Sequence, residues 1–422
     1  MRAMKDSGIP WIGEIPETWN VNMLSSLFDE HKQKNKDLSE TNLLSLSYGK
    51  IIRKDINTNE GLLPESFDGY NIISDGDIVF RLTDLQNDKR SLRTGLCLEK
   101  GIITSAYVTI RARQKLYSPY YHYLVHSYDV CKVFYGMGDG VRQGMNYSDL
   151  RKLLLVSPSY SEQQRIAEFL DRKCAEVDEM IALQEQIIEE LKSYKQSVIT
   201  EAVTKGLNPA APMRDSGIDW IGQIPEHWEV KRLKNIFRLK TGTTPDGFDI
   251  VNEDSEIIPW FTPSDISDDC CELHQSERKL YKSEVGEIEL FPKGSLMFVG
   301  IGASAGKLGY SHISGYSNQQ ITALIPDNCK GKYYYYFLIA DRKRLRDNAF
   351  FTTLPIINNG YLSQNKVVYP PTTEQQAIAD YLDEKCADID SLIQTKQSKI
   401  DSLKEYKKSI IYEYVTGKRE VE

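Results

Sequence analysis

The sequence is poor in the residues on which most small-site chemistry rests. Its 422 residues hold only seven cysteines and six histidines. Cys270 and Cys271 are adjacent, but there is no CxxC, so neither a zinc knuckle nor a disulfide framework is expected, and a reducing cytoplasm is the expected compartment. His31, His122, His126, His227, His274 and His312 make no HExxH pattern; His122 and His126 stand four apart without an obvious third ligand, which reads as packing on a tyrosine-rich helix. No apolar run approaches the length of a membrane span, and the first residues lack the apolar core of a signal peptide, so no membrane partner is expected. Excess basic charge is missing too. A net charge of −8 argues against an indiscriminate nucleic-acid binder.

Catalytic motifs are also lacking. "GIGASAGK" from Gly300 has the look of a phosphate loop, but five residues separate Gly300 from Gly306, three separate Gly302 from it, and Lys307 is followed by Leu308. The dinucleotide fingerprint fails on its last gap. A tight turn, or a close backbone approach to a ligand such as a phosphate, remains. There is no PD…ExK nuclease pattern, no Asn-Pro-Pro-aromatic amino-methylation motif and no helicase motif. The expectation is a non-catalytic chain that binds no metal or cofactor.

What is present is repetition. "MKDSGIPWIGEIPETW" at Met4 returns as "MRDSGIDWIGQIPEHW" at Met213, 209 residues on. Its Gly/Pro punctuation reads as a turn-rich lead-in, neither helix nor strand. "SEQQRIAEFLDRKCAEVDEMI" at Ser161 returns as "TEQQAIADYLDEKCADIDSLI" at Thr373, 212 residues on. The near-equal offsets make the chain a tandem duplication of two large units, each a lead-in, a variable block and a long helix. Apolar residues recur at three- and four-residue steps (Ile166, Leu170, Cys174, Val177 and their equivalents Ile378, Leu382, Cys386, Ile389), with Ser161/Gln164 and Thr373/Gln376 as expected capping boxes. The stripe is as narrow as a coiled-coil seam, so each helix wants a long partner, and the other copy is the obvious one. Gln184 and Lys396 are equivalent polar seam positions expected to snorkel outward.

The variable blocks, roughly 20–156 and 229–368, alternate short apolar runs with Gly, Asp and Asn. "GDIVFRLTD" and "GSLMFVGIG" are matched strands, as are "TSAYVTIRAR" and "QQITALIP". A helical stretch follows in each, and each block closes on a strand ending at Pro158 or Pro370. The fold class is α+β: two globular domains with one layout and dissimilar surfaces, a pseudo-twofold internal repeat, separated by two long helices pairing as an antiparallel coiled coil. Acidic residues concentrate in the helices, which leaves the basic clusters at Arg53, Arg93, Arg111 and Arg346 on the blocks.

These features together resemble the specificity subunit of a type I restriction-modification enzyme, over essentially the whole length. The likeness rests on "SGIPWIGEIPETW" and "SGIDWIGQIPEHW", on "EQQRIAEFLD" and "EQQAIADYLD" followed by long helices, and on the duplicated order. It implies target-recognition domain 1 at 1–157 (lead-in 4–19), conserved helical region 1 at 158–206, target-recognition domain 2 at 207–369 (lead-in 213–228) and conserved helical region 2 at 370–422. It implies that each recognition domain reads one half of a bipartite, asymmetric site on double-stranded DNA. Two methyltransferase subunits would dock on the helices, and restriction/translocase subunits would join them. S-adenosylmethionine, ATP and Mg would belong to those partners.

Polar side chains on loops between the matched strands are the candidate base readers. In the first block these are Arg81, Thr83, Asp84, Gln86, Ser105, Tyr107, Arg142 and Gln143. In the second they are Thr243, Thr244, Ser264, Asp265, Ser304, Lys307, Asn318 and Gln319. An ordinary turn role is the competing reading for each. The competing reading for the whole chain is a coiled-coil scaffold whose blocks bind protein or peptide.

Overall fold

In the computed structural model, residues 2–56, 64, 66–83, 85, 92–137, 144–244, 257–267, 271–281, 288–351 and 354–421 are described. They form a mixed α/β protein with four main helices: α1 (Ser118–Val130), α2 (Tyr160–Lys205), α3 (Gly331–Asp347) and α4 (Thr372–Val415). Among the described residues no helix is long and apolar enough to cross a membrane. The chain divides into two compact units, one of residues 1–185 with 397–422 and one of residues 186–396. The borders fall inside the long helices, not at their ends, because each half-helix buries its apolar stripe in the core of its own unit.

In the first unit, β1 (Phe28–Glu30), β2 (Ile78–Phe80), β3 (Thr94–Leu96) and β4 (Val108–Ala112) form an antiparallel sheet in the order β3-β2-β4-β1. In the second, β5 (Phe237–Thr241), β6 (Cys271–Leu273), β7 (Leu296–Val299), β8 (Leu308–Ser311) and β9 (Ile321–Pro326) repeat that order as β5-β9-β7-β8, with β6 added in parallel at the edge. The strands sit where the glycine-led apolar runs place them. Tyrosines of α1 and α3 form the core beneath each sheet, with the buried stripe of the long helices against them.

Four paired devices show how the duplicated sequence builds this. The hydroxyl of buried Tyr120 donates to the Val415 carbonyl at 2.9 Å, and that of Tyr333 donates to Val203 at 2.7 Å, so each satisfies an orphan carbonyl at a helix C-terminus. Gln163 donates to the Pro158 carbonyl at 2.9 Å and accepts from the Tyr117 amide at 3.0 Å; Gln375 does the same with Pro370 and Lys330, both at 2.8 Å. One glutamine thus ties the closing strand, the long helix and the start of α1 or α3 together. Trp19 and Trp228 are buried against Gly417 and Gly206, which end the long helices with φ of +70° and +73°. Finally, Asp178 pairs with Lys407 at 2.6 Å in the first unit, and Asp390 with Lys195 at 2.7 Å in the second: one ion pair written twice. In the first unit the Phe169 ring also lies 4.5 Å from that of Tyr414, so the helix segments run antiparallel there.

Two expectations need correction. The lead-ins are not free of strand: Met4–Asp6 pairs with Glu14–Pro16, and Met213–Asp215 with Gln223–Pro225. Their Gly/Pro content hid hairpins whose strands are only three residues long. The long helices begin earlier than the expected caps, at Tyr160 and Thr372. Gln164 and Gln376 close no capping box but bond Glu168 and Asp380 one turn on. Gln184 and Lys396 are half-buried, compatible with polar seam residues that reach outward.

Candidate nucleic-acid interface

In the second unit, antiparallel pairing brings the end of β5, the end of β7 and the starts of β8 and β9 to one end of the sheet. The loops there are tied to one another through the backbone. The Thr243 amide donates to Ser317 at 2.9 Å, Asn318 to Phe261 at 3.1 Å and Gly300 to Gln320 at 2.8 Å. Gly242 makes the first contact feasible, since a Cβ there would lie 2.2 Å from the Ser317 hydroxyl. Thr244, Ser304, Lys307, Asn318 and Gln319 therefore meet with Thr243 along one rim. The Thr244 hydroxyl bonds Gln319 at 2.5 Å, and Asn318 bonds Gln320 at 3.1 Å.

Ser264 is exposed beside this rim. Asp265 is engaged inside the block. Its carboxylate accepts from the Thr262 amide and hydroxyl at 2.8 and 2.9 Å, from the Ser276 hydroxyl at 3.1 Å and from the Glu277 amide at 3.0 Å. With both oxygens used this way it holds a turn. The 300–307 segment is the β7–β8 connection, closed by Gly306 donating to Val299 and Val299 to Lys307. It opens no helix, so it supplies no phosphate loop of the nucleotide-binding kind.

The first unit repeats the arrangement. The end of β2 and the starts of β3 and β4 share an end, which places Arg81 and Thr83 near Ser105 and Tyr107. Ser105 is exposed in a turn, while Tyr107 packs partly against Leu44, Ile73 and Val79. Met145 donates to the Leu82 carbonyl at 2.9 Å, as Ile357 does to Gly300 at 2.8 Å. Asp84, Gln86, Arg142 and Gln143 lie outside the described residues.

Sequence reasoning left three features out of its candidate readers, although it placed Arg342 and Arg346 in a basic cluster. Tyr48, 78 % exposed, sits at the tip of the Leu44–Ser47/Lys50–Arg53 hairpin, and Gly49 beside it approaches Leu92, just ahead of β3. The signal was there: Tyr-Gly between two alternating runs. Arg342 and Arg346 of α3 flank Gly306, and Arg346 reaches the Ala303 carbonyl. Phe350 and Leu354 are exposed on the segment whose Pro355 and Ile356 join the 300–302 loop.

Most of the expected basic clusters are neutralised locally. Arg111 forks onto buried Asp77 at 2.6 and 2.7 Å, Arg113 pairs with Asp29 at 2.5 Å, and Arg53 pairs with Glu99, whose carboxyl it holds below its ordinary pKa. Arg93 is fully buried and donates to the Thr83 carbonyl at 2.8 Å. Arg344 pairs with Asp341, whose burial still pushes its carboxyl upward. His122 and His126 pack within the first unit. The His122 Nε2 is sealed from solvent, and burial pushes the two imidazoles down to about 3 and about 4.

This doubled architecture has close counterparts. The family model of the type I restriction modification DNA specificity domain matches residues 225–416. The putative type I restriction enzyme MjaX specificity subunit of Methanocaldococcus jannaschii is 25 % identical over 436 aligned positions, covering 96 % of this chain and 95 % of that one. Residues 225–416 thus match the type I restriction modification DNA specificity domain, and the chain over nearly its whole length is similar to a type I restriction enzyme specificity subunit. The MjaIX specificity subunit of the same organism is 29 % identical over 192 residues, 43 % of this chain and 42 % of its own length. Among solved structures, a chain described under "Structural basis underlying complex assembly and conformational transition of the type I R-M system" superposes with a TM-score of 0.75 at 18 % identity, over 96 % of this chain and 99 % of that one. The HsdS subunit from Thermoanaerobacter tengcongensis gives 0.54 at 18 % identity, over 96 % of this chain and 98 % of that one. The matched family model spans the second block and the whole of α4.

Proposed function

We propose that this chain is a specificity subunit that reads DNA sequence for a type I restriction-modification complex and performs no chemistry itself. Each unit presents its polar sheet-end rim to one half of a bipartite, asymmetric site on double-stranded DNA. The observation that carries this reading is the rim itself: one sheet order built twice, with different polar side chains at the same end. Arg81, Thr83 and Ser105 furnish one set, and Thr244, Lys307, Asn318 and Gln319 the other. Asparagine and glutamine are suited to adenine edges, and arginine and lysine to guanine. Exposed Tyr48 and Phe350 offer apolar contact to thymine methyl groups.

The long helices act as an antiparallel coiled-coil spacer and as the docking surface for two methyltransferase subunits, through which restriction/translocase subunits join. An acidic subunit gains little from phosphate contacts alone, since neutralising phosphates needs Lys and Arg, and Arg53, Arg111 and Arg113 here pair with acids of the same chain. Partners that wrap the duplex supply that charge. S-adenosylmethionine, ATP and Mg are held by those partners, and the assembly works in the cytoplasm. The test is retention of a random duplex library by the complex of this chain with its methyltransferase, at fixed salt. Retained duplexes should share two short fixed segments at a fixed gap. Retention of all sequences alike, falling uniformly with salt, would leave this chain no reading role.

A further inference from the structure

The second unit carries a side-chain cluster that this function does not use. β6 is the edge strand of its sheet and pairs in parallel with β8, Leu273 opposite Ser311. One step on, His274 stands opposite His312, whose amide donates to the Leu273 carbonyl at 3.0 Å. The two imidazoles stack, centroids 4.2 Å apart and planes 7° from parallel. Glu272 lies two residues before His274 and so projects from the same sheet face. Its Oε2 is 2.9 Å from His312 Nε2 and 3.7 Å from His274 Nε2, and the three ligand atoms lie within 4.8 Å of one another.

We propose that Glu272, His274 and His312 bind one divalent transition-metal ion of the zinc class. Two imidazoles and one carboxylate are a donor set for zinc, cobalt or nickel, not for magnesium or calcium, which prefer all-oxygen shells. Two ligands of one zinc ion lie no more than ~4 Å apart, given bonds of ~2 Å. A modest rotation of the His274 ring, which is 65 % exposed, closes the set. The carboxylate is already oriented. Its Oε1 is held by the Lys332 ammonium, which also pairs with Asp383 at 3.2 Å and lies over the Tyr310 ring at 4.8 Å. This leaves Oε2 for the ion, the outer-shell support that metal carboxylates require. With neutral imidazoles, Glu272, Asp383 and Lys332 sum to one negative charge, so a dication is not repelled. Three protein ligands leave at least one position to water. The ion would pin an edge strand held at only three residue pairs to a strand far along the chain.

The test uses the full chain, purified through a tag without histidine, metal-stripped and titrated with Zn2+ and Co2+ chlorides. One Zn2+ per chain should survive dialysis at neutral pH and be released on acidification. Bound Co2+ should show d–d bands of a four- or five-coordinate site, and X-ray absorption should count two imidazole nitrogens and one carboxylate oxygen. His274→Ala and His312→Ala should each weaken Zn2+ by no less than the about 10–100-fold that loss of an outer-shell partner costs. Zn2+ should raise the Tm of the wild type but not of the double variant, while the two metal-free Tm values agree. No retained ion, unchanged retention in the double variant, or a sulfur or all-water shell overturns the site. None of these outcomes bears on DNA recognition.

Discussion

Replacing Gln375 by alanine should destabilise the second unit by far more than replacing its neighbour Gln376. The two are adjacent in one motif and chemically identical. Gln375 is fully buried; its amide donates to the buried Pro370 carbonyl and accepts from the Lys330 amide that precedes α3. Truncation strands a buried carbonyl, at a cost of about 1–3 kcal/mol, and removes a second, partly buried bond worth about 0.5–1.5 kcal/mol. The expected loss is about 1.5–4.5 kcal/mol. Gln376 makes one exposed bond to Asp380, four residues on, of the kind worth about 0.2–0.5 kcal/mol. Urea unfolding of each variant, followed by tryptophan fluorescence, reads the difference as a shift in midpoint at constant slope. Gln163→Ala, the equivalent change, should lower the transition of the first unit by a similar amount. Equal costs for Gln375→Ala and Gln376→Ala would refute the tie between strand, helix and helix start.

The other predictions follow the same geometry. Asp178→Lys or Lys407→Asp alone should lower the Tm, and the double swap should restore it, with a coupling below about 1 kcal/mol because Asp178 is half exposed; a swap that restores nothing removes the pair from the helix seam. His122 and His126 have folded pKa values pushed below the ordinary imidazole value, so their stabilisation is complete above about pH 6.5 and is lost as pH falls towards about 4 and about 3. Stability of the first unit should decline on acidification by less than about 1.4 kcal/mol per pH unit for each imidazole, since neither side chain is wholly enclosed, and His126→Phe should flatten the slope. Gln319→Ala should relax one position of one half-site, by about 1–3 kcal/mol if it forks onto an adenine, whereas Asp265→Ala should lower the Tm instead; methylation mapping and thermal unfolding separate the two. Four residues inserted after Gln186 and four after Ser398 fall near the unit borders and lengthen each helix by ~6 Å. The gap between half-sites should grow by about one or two base pairs, and an unchanged gap with full activity would end the spacer reading.

Repetition makes the large features legible in the amino-acid sequence itself. A sheet order written twice follows from apolar runs led by Gly76 and Gly294, and long helices follow from unbroken apolar spacing. Devices that join distant residues are not legible there. Gln164 and Gln376 look like capping residues in a linear reading, whereas their neighbours Gln163 and Gln375 carry no signal there, yet these accept from Tyr117 and Lys330, more than forty residues away. Arg111 and Arg113 look like a basic surface because Asp77 and Asp29 lie elsewhere in the chain. Asp265 looks free to meet a base because Ser276 and Glu277 come eleven and twelve residues later. His274 and His312 share no motif spacing; only the parallel β6–β8 pairing sets them side by side. Local periodicity survives in a sequence, whereas pairing across a fold does not.

The central claim is that the two blocks read separate halves of one DNA site. The most direct measurement exchanges residues 20–156 for the equivalent block of another family member and maps N6-methyladenine across the genome of cells expressing the hybrid with its methyltransferase. One half-site should change while the other half-site and the gap persist. A hybrid that alters both half-sites, or neither, would contradict it.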